Sequence, residues 1–169
     1  MTEPTPRSDE IPVLPIDPDV EVAQSAGAPR PVHLRPAYIA VVFAGGALGT
    51  AAREALSLAF PPADGIPFVI LGINVAGAFL LGFLLDALVR RGPDEGTRRM
   101  LRLLLGTGVM GGFTTYSALA ADAARLIGSG SALAGILYGL ATVLVGAAAT
   151  WAGIALAAAT HRASRRADR

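Results

Sequence analysis

The chain has 169 residues, 53% of them hydrophobic, and fourteen basic against thirteen acidic side chains leave a formal charge of +1. Without cysteine, a disulfide framework or thiolate metal site is excluded, and the two histidines, His33 and His161, lie outside the apolar runs, so neither builds a metal site within a membrane or takes a catalytic role. The sequence carries no phosphate-binding loop, and no nucleic-acid partner is expected.

Residues 1–35 hold most of the prolines among Asp, Glu, Ser and Thr, with no sustained apolar period, and read as a disordered N-terminal tail. Its acidic balance, with Glu3, Asp9, Glu10, Asp17, Asp19 and Glu21 against Arg7, Arg30 and Arg35, is the opposite of a signal peptide's basic start. Residues 36–160 then form an all-α integral membrane domain with four spans. The first runs from Ala37 to about Leu58 and carries Arg53 and Glu54 near its end. The second, Ile66 to Leu85, has Asn74 as its one polar side chain. The third, Leu101 to about Ile127, is interrupted by glycines and hydroxyl residues between Gly108 and Ser117. The fourth, Ala132 to Ala159, has no charge. A bilayer needs about 20 apolar residues per helix, and a soluble bundle would show a polar face that the second and fourth segments lack. Linkers fall at Pro61–Gly65, Arg90–Arg99 and Gly128–Gly130, and residues 161–169 form a basic C-terminal tail.

Twelve arginines fall on the side shared by the termini and the middle loop, and only Arg53 and Arg125 on the other, which predicts cytoplasmic termini. Small residues recur four apart at Gly45 and Gly49, Ala78 and Gly82, Gly108 and Gly112, and Gly135 and Gly139. Such ridges permit close helix approach, and dimerisation is their expected use, because four short helices enclose no sizeable pathway alone.

The interrupted third span predicts a broken helix whose freed carbonyls need protein, water or an ion. Asn74 must meet something polar: either it makes an interhelical hydrogen bond, or its amide donates to a passing anion. Tyr138, Thr142, Gly146 and Thr150, each four residues apart, share one helical face; their hydroxyls line a path or, for the threonines, bond back to their own helix. Arg53 snorkels, pairs with Glu54 or Asp122, or concentrates anions at a pore mouth. Asp122 and Arg125 read as a local ion pair and Asp86 as an interfacial carboxylate.

Three stretches, Gly45–Arg53, Asn74–Gly82 and Gly111–Ser117, resemble in order and spacing the signatures of the Fluc (CrcB) fluoride channels, and with the fourth-span column the likeness covers about residues 37–160. The resemblance implies a passive, fluoride-specific channel of the cell membrane that exports cytoplasmic fluoride and so limits its toxicity, not an enzyme. It implies an antiparallel dimer with two pores at the interface. It also implies a structural, untransported Na+ held by the main-chain carbonyls of Gly111 and Thr114. Asn74 matches the family's pore asparagine, Arg53 its vestibule arginine, and Tyr138, Thr142 and Thr150 its polar track, with Thr115, Tyr116 and Ser117 in the third-span motif at the fluoride path. Two departures stand out: Tyr116 and Leu119 occupy positions usually held by phenylalanine, and the arginine bias is larger than suits a chain inserting both ways. The second subunit is therefore either the same chain or an oppositely oriented relative, each subunit then being degenerate at one pore. A small multidrug-type exporter is the alternative of similar size, but it needs a membrane-embedded carboxylate, and the first span offers only Glu54 beside Arg53.

Overall fold

The structure, a computed structural model, describes residues 35–63 and 65–167. The expected tail, except Arg35, lies outside the described residues. Among those described, every regular element is helical: α1 (Pro36–Ala59), α2 (Phe68–Val89), α3 (Gly96–Leu101), a π-helical segment (Arg102–Met110), the single turn α4 (Gly111–Phe113), α5 (Tyr116–Gly128) and α6 (Ala132–Ala167). Four stretches are long and apolar enough to cross a membrane: α1, α2, the run Gly96–Gly128, and Ala132–Ser164 of α6.

Local chemistry sets the helix ends. Pro36 opens α1, where a missing N–H costs nothing. The α1–α2 turn is closed by reciprocal amide bonds between Ala63 and Ile66 at 3.1 and 2.9 Å, with Gly65 at φ 78°. At the end of α5 the amide of Ser131 bonds the carbonyl of Leu126 at 2.9 Å and that of Gly130 bonds Ile127 at 3.1 Å. This is the double bond that ends a helix through a left-handed residue, and Gly130 supplies it at φ 87°. Helix α3 starts at Gly96, within the stretch expected as a linker, and α6 continues past Ala159 to Ala167. At about 1.5 Å per residue, the 36 residues of α6 make a helix about 54 Å long.

Helix α1 packs chiefly on the π segment and α4, whereas α2 and α5 pack on α6. Glycine permits the first contact. A Cβ on Gly49 would overlap the Val109 carbonyl and lie 2.8 Å from the Phe113 nitrogen, and one on Gly108 would lie 2.9 Å from both the Gly45 Cα and the Val42 carbonyl. Gly112 meets the Gly46 carbonyl and the Thr50 amide in the same way. Across α2 and α6, Gly82 faces the Thr150 backbone and Gly153 faces the Phe79 carbonyl, while Gly135 brings α6 onto the Ala123 carbonyl of α5. The small-residue ridges therefore hold this chain's own helices together, which corrects their expected assignment to dimerisation. Gly139 alone among those ridge glycines has nothing within 4 Å of a modest added carbon.

The buried apolar side chains are few; Leu119, Leu126 and Tyr138 form one cluster, with Ile66, Leu71 and Ala123 packed on it. Large apolar residues such as Phe43, Leu58, Leu133 and Trp151 stand on the outside. In a chain with four membrane-length helices, that outward surface suits hydrocarbon.

Candidate functional site

Between α4 and α5, Thr114 (φ −77°, ψ 155°) and Thr115 (φ −151°, ψ 116°) are extended. Extended residues leave the helical ladder, and their peptide groups need other partners in an apolar surround. Asn74 on α2 supplies two. Its Nδ2 donates to the Thr115 carbonyl at 3.0 Å, and its Oδ1 accepts from the Thr115 amide at 2.8 Å. One side-chain amide thus satisfies both main-chain groups of one residue, and one of its two N–H bonds is left over.

The residues around this clamp are held by their own backbone contacts. Thr114 returns to the preceding turn, its amide and Oγ1 both donating to the Met110 carbonyl at 3.0 and 2.8 Å. Its methyl group sits where a side chain on Gly77 would be. Thr115 is buried; its Oγ1 accepts from the Ala118 amide at 3.2 Å, capping α5, and lies 3.2 Å from the Ser117 hydroxyl. Thr50 on α1 donates to the Gly112 carbonyl at 3.4 Å. Gly111 is exposed, with open space beside its Cα.

The structure brings Asn74, Thr115 and Ser117 together but sends their neighbour outward, since Tyr116 is 80% exposed. Leu119, one turn on, lines the same groove between α5 and α6 as Tyr116 but is buried, packing with Leu126 and Tyr138. The Tyr138 hydroxyl donates to the Pro67 carbonyl at 3.4 Å, at the start of α2. Thr142 and Thr150 both donate to carbonyls four residues back, those of Tyr138 at 2.8 Å and Gly146 at 3.1 Å. Of the two readings of this column, return bonding to the helix is the one observed for the threonines. Tyr138 and Thr142 are buried, and Gly146 keeps the surface of α6 close to Ala78.

At the far end of the same region, Arg125 donates to Asp122 at 3.1 Å, forming the expected ion pair. Arg53 lines a cavity of about 250 Å3 with Glu54, Ser57, Pro67 and Asp122, yet its Nε is buried and has no hydrogen-bond partner among the described residues. The expected pairing of Arg53 with Glu54 or Asp122 is not among the ion pairs of the described residues. The guanidinium is half-buried and shares its cavity with two carboxylates, of which Asp122 is paired with Arg125. At the opposite end Asp86 pairs with Arg90, consistent with an interfacial carboxylate, and Asp94 receives Arg102 at 2.8 and 3.0 Å and Arg99 at 3.5 Å. The hydrogen bond from Arg102 holds the Asp94 carboxyl below its ordinary range despite some desolvation.

Pro67, Gly77, Met110 and Thr50 support the site without having been singled out. Two of them act through main-chain carbonyls, which any residue provides, so their identity carried no signal; Gly77, three residues after Asn74, was the readable one.

The sequence matches the family model of CrcB-like proteins (camphor resistance, CrcB) over residues 40–154. It is 57% identical over 129 residues to fluoride-specific ion channel FluC 2 of Leifsonia xyli subsp. xyli, covering 76% of this chain and 89% of that protein. It is 50% identical over 122 residues to FluC 1 of Cutibacterium acnes, covering 72% and 85%. With FluC of Rhizobium meliloti it shares 38% identity over 121 residues, covering 70% and 94%.

Proposed function

Since the chain belongs to the CrcB-like family, we propose that it is a fluoride channel through which cytoplasmic fluoride leaves the cell passively, lowering its toxicity. It is a multi-pass membrane protein, and its family's work is ion conduction rather than catalysis. The observation that carries the proposal is the clamp by which Asn74 holds Thr115 in an extended conformation in the middle of an apolar span.

Fluoride holds its water tightly, so a route must replace that water with donors one at a time without retaining the ion. Arg53, with its unpartnered Nε, gathers anions at one mouth. Beyond it, the unused N–H of Asn74, the hydroxyls of Thr115 and Ser117, and the electropositive ring edge of Tyr116 are the donors nearest the clamp. Tyr138, Thr142 and Thr150 continue the path. A threonine hydroxyl that rests on its own helix carbonyl becomes a donor to the anion by rotating about χ1, giving up a bond worth about 1 kcal/mol. That small cost favours passage over trapping.

The pore is completed by a second, antiparallel subunit, either this chain or an oppositely oriented relative. The exposure of Tyr116 and Gly111, and the open ground beside Gly139, support an arrangement in which another chain covers them. The carbonyls of Gly111 and Thr114 would hold a structural Na+ at that contact. They fit a hard cation in being uncharged oxygen donors beside extended backbone, with room at Gly111 and no group of acidic or histidine ligands among the described residues to compete. When bound, the ion would supply positive charge to oppose the carbonyl dipoles.

The test is efflux. Purified protein reconstituted in sodium-containing liposomes loaded with potassium fluoride should release fluoride to an electrode when valinomycin is added, and release no chloride under the same gradient. Equal chloride release would refute fluoride specificity. Silence from folded protein that is relieved by co-reconstituting an oppositely oriented relative would refute self-pairing, and silence in both cases would refute the channel.

A further inference from the structure

A groove of about 600 Å3 runs between the first turns of α1 and the start of the π segment, and none of the clamp residues lines it. Ile39, Val42, Phe43 and Leu103 make it apolar, and Tyr38 and Arg102 stand at its arginine-rich end. Tyr38 to Phe43 and Arg102 to Thr107 each span five residues, so the groove extends roughly 8 Å along the helices. It is open to the outside: Phe43 is 77% and Ile39 54% exposed.

The mouth is positively charged. The Arg35 guanidinium lies 6.0 Å from the centre of the Tyr38 ring and is in no ion pair among the described residues. Arg99 and Arg102 share one carboxylate, that of Asp94. Two guanidiniums thus share one acid on the Arg102 side and a third, that of Arg35, stands over Tyr38, a phenol whose amphipathic ring suits the headgroup level. A second apolar helix would meet no complement to this charge, whereas a phospholipid supplies a chain for the groove and an anion for the rim.

We propose that this groove is a binding site for one anionic phospholipid of the phosphatidylglycerol type. Its phosphodiester lies between Arg35 and Arg102, and its upper acyl chain lies along Ile39, Phe43 and Leu103. The zwitterionic phosphatidylcholine fits the groove equally but carries a cation toward the arginines.

Native mass spectrometry of the purified full chain, exchanged into micelles holding equal phosphatidylglycerol and phosphatidylcholine, tests this. A guanidinium near the headgroups favours an anionic lipid about fivefold, the equivalent of ~1 kcal/mol, so wild type should retain phosphatidylglycerol over phosphatidylcholine by at least that factor. Arg35→Gln, which breaks no ion pair among the described residues, should lower the preference about fivefold by the same rule. Val42→Trp fills the groove and should lower retention of both lipids, while Arg91→Gln leaves retention as in wild type. Equal retention of the two lipids by wild type would overturn the proposal, as would a preference that survives in both Arg35→Gln and Val42→Trp. If Val42→Trp alters the oligomer's mass and leaves lipid adducts untouched, a second protein chain occupies the groove and the lipid site falls. Fluoride efflux plays no part in these readouts, so failure here and failure of the channel reading are separate results.

Discussion

Replacing Asn74 by alanine removes both partners of Thr115 at once. The lost bonds measure 2.8 and 3.0 Å and belong to a residue that is only 7% exposed, so water reaches neither peptide group without movement of α5. A buried peptide group left unpaired costs about 1–3 kcal/mol. Two such groups, partly relieved by shifting the first turn of α5, give an expected loss of about 2–4 kcal/mol. The lower value corresponds to about a 30-fold rise in the population in which this segment opens, since 1.4 kcal/mol is about tenfold. Hydrogen exchange at the Thr115 and Ala118 amides reads that opening directly, and thermal unfolding in detergent reads the whole loss. Asn74→Asp is the sharper variant: its carboxylate still accepts from the Thr115 amide but sets oxygen against the Thr115 carbonyl and negative charge against the anion. It should be inactive in fluoride efflux. Exchange at Thr115 in Asn74→Ala within about twofold of wild type, with an unchanged melting temperature, would refute the clamp. Full fluoride efflux by Asn74→Asp would refute a role for the amide in facing the ion.

Two further outcomes follow from packing and charge. Gly49→Ala should destabilise the chain by about 1–3 kcal/mol, because the added carbon meets main-chain atoms of Val109 and Phe113 that cannot rotate away; Gly139→Ala, with open space around it, should melt like wild type in detergent as a single chain, and equal melting of both variants would mean that α1 is packed wrongly. The Asp94 carboxyl, lowered chiefly by its bond from Arg102, should contribute stability that is complete well above its unfolded value of 3.8 and is lost as pH falls through the lower folded value. Asp94→Asn should flatten that acid limb of the unfolding curve, and an unchanged limb would show that the pair with Arg102 contributes nothing at this exposed rim.

Much of this architecture was legible because hydrocarbon imposes length and polarity limits that leave a plain trace. The uncharged run beginning at Ala132 and the single amide in the run Ile66–Leu85 each marked a span whose start in the structure lies close by, whereas α2 and α6 both run on past the expected ends. The pairing of Asp122 with Arg125 was readable from their three-residue spacing. Less was legible where the deciding groups are main-chain ones. Nothing in Arg102–Met110 distinguishes a π ladder from an α ladder, since the difference lies in which carbonyl each amide chooses. The ridges at Gly45, Gly49, Gly108 and Gly112 announced close approach but not to what, and the helix they meet belongs to the same chain. Asn74 shows both sides of this: its need for a polar partner was evident, whereas the partner is a backbone segment that any residue type but proline would present at position 115.

That last point bears on how the clamp changes over generations. Asn74 reads peptide groups, so mutation at Thr115 to any residue but proline disturbs the α5 cap without touching the two clamp bonds, while mutation at Asn74 has no compensating exchange available at position 115. The dependence runs one way. A genetic search for suppressors of Asn74→Ala should therefore return no substitution at Thr115, and should instead return residues on neighbouring helices that offer a donor and an acceptor together, with glutamine and asparagine foremost.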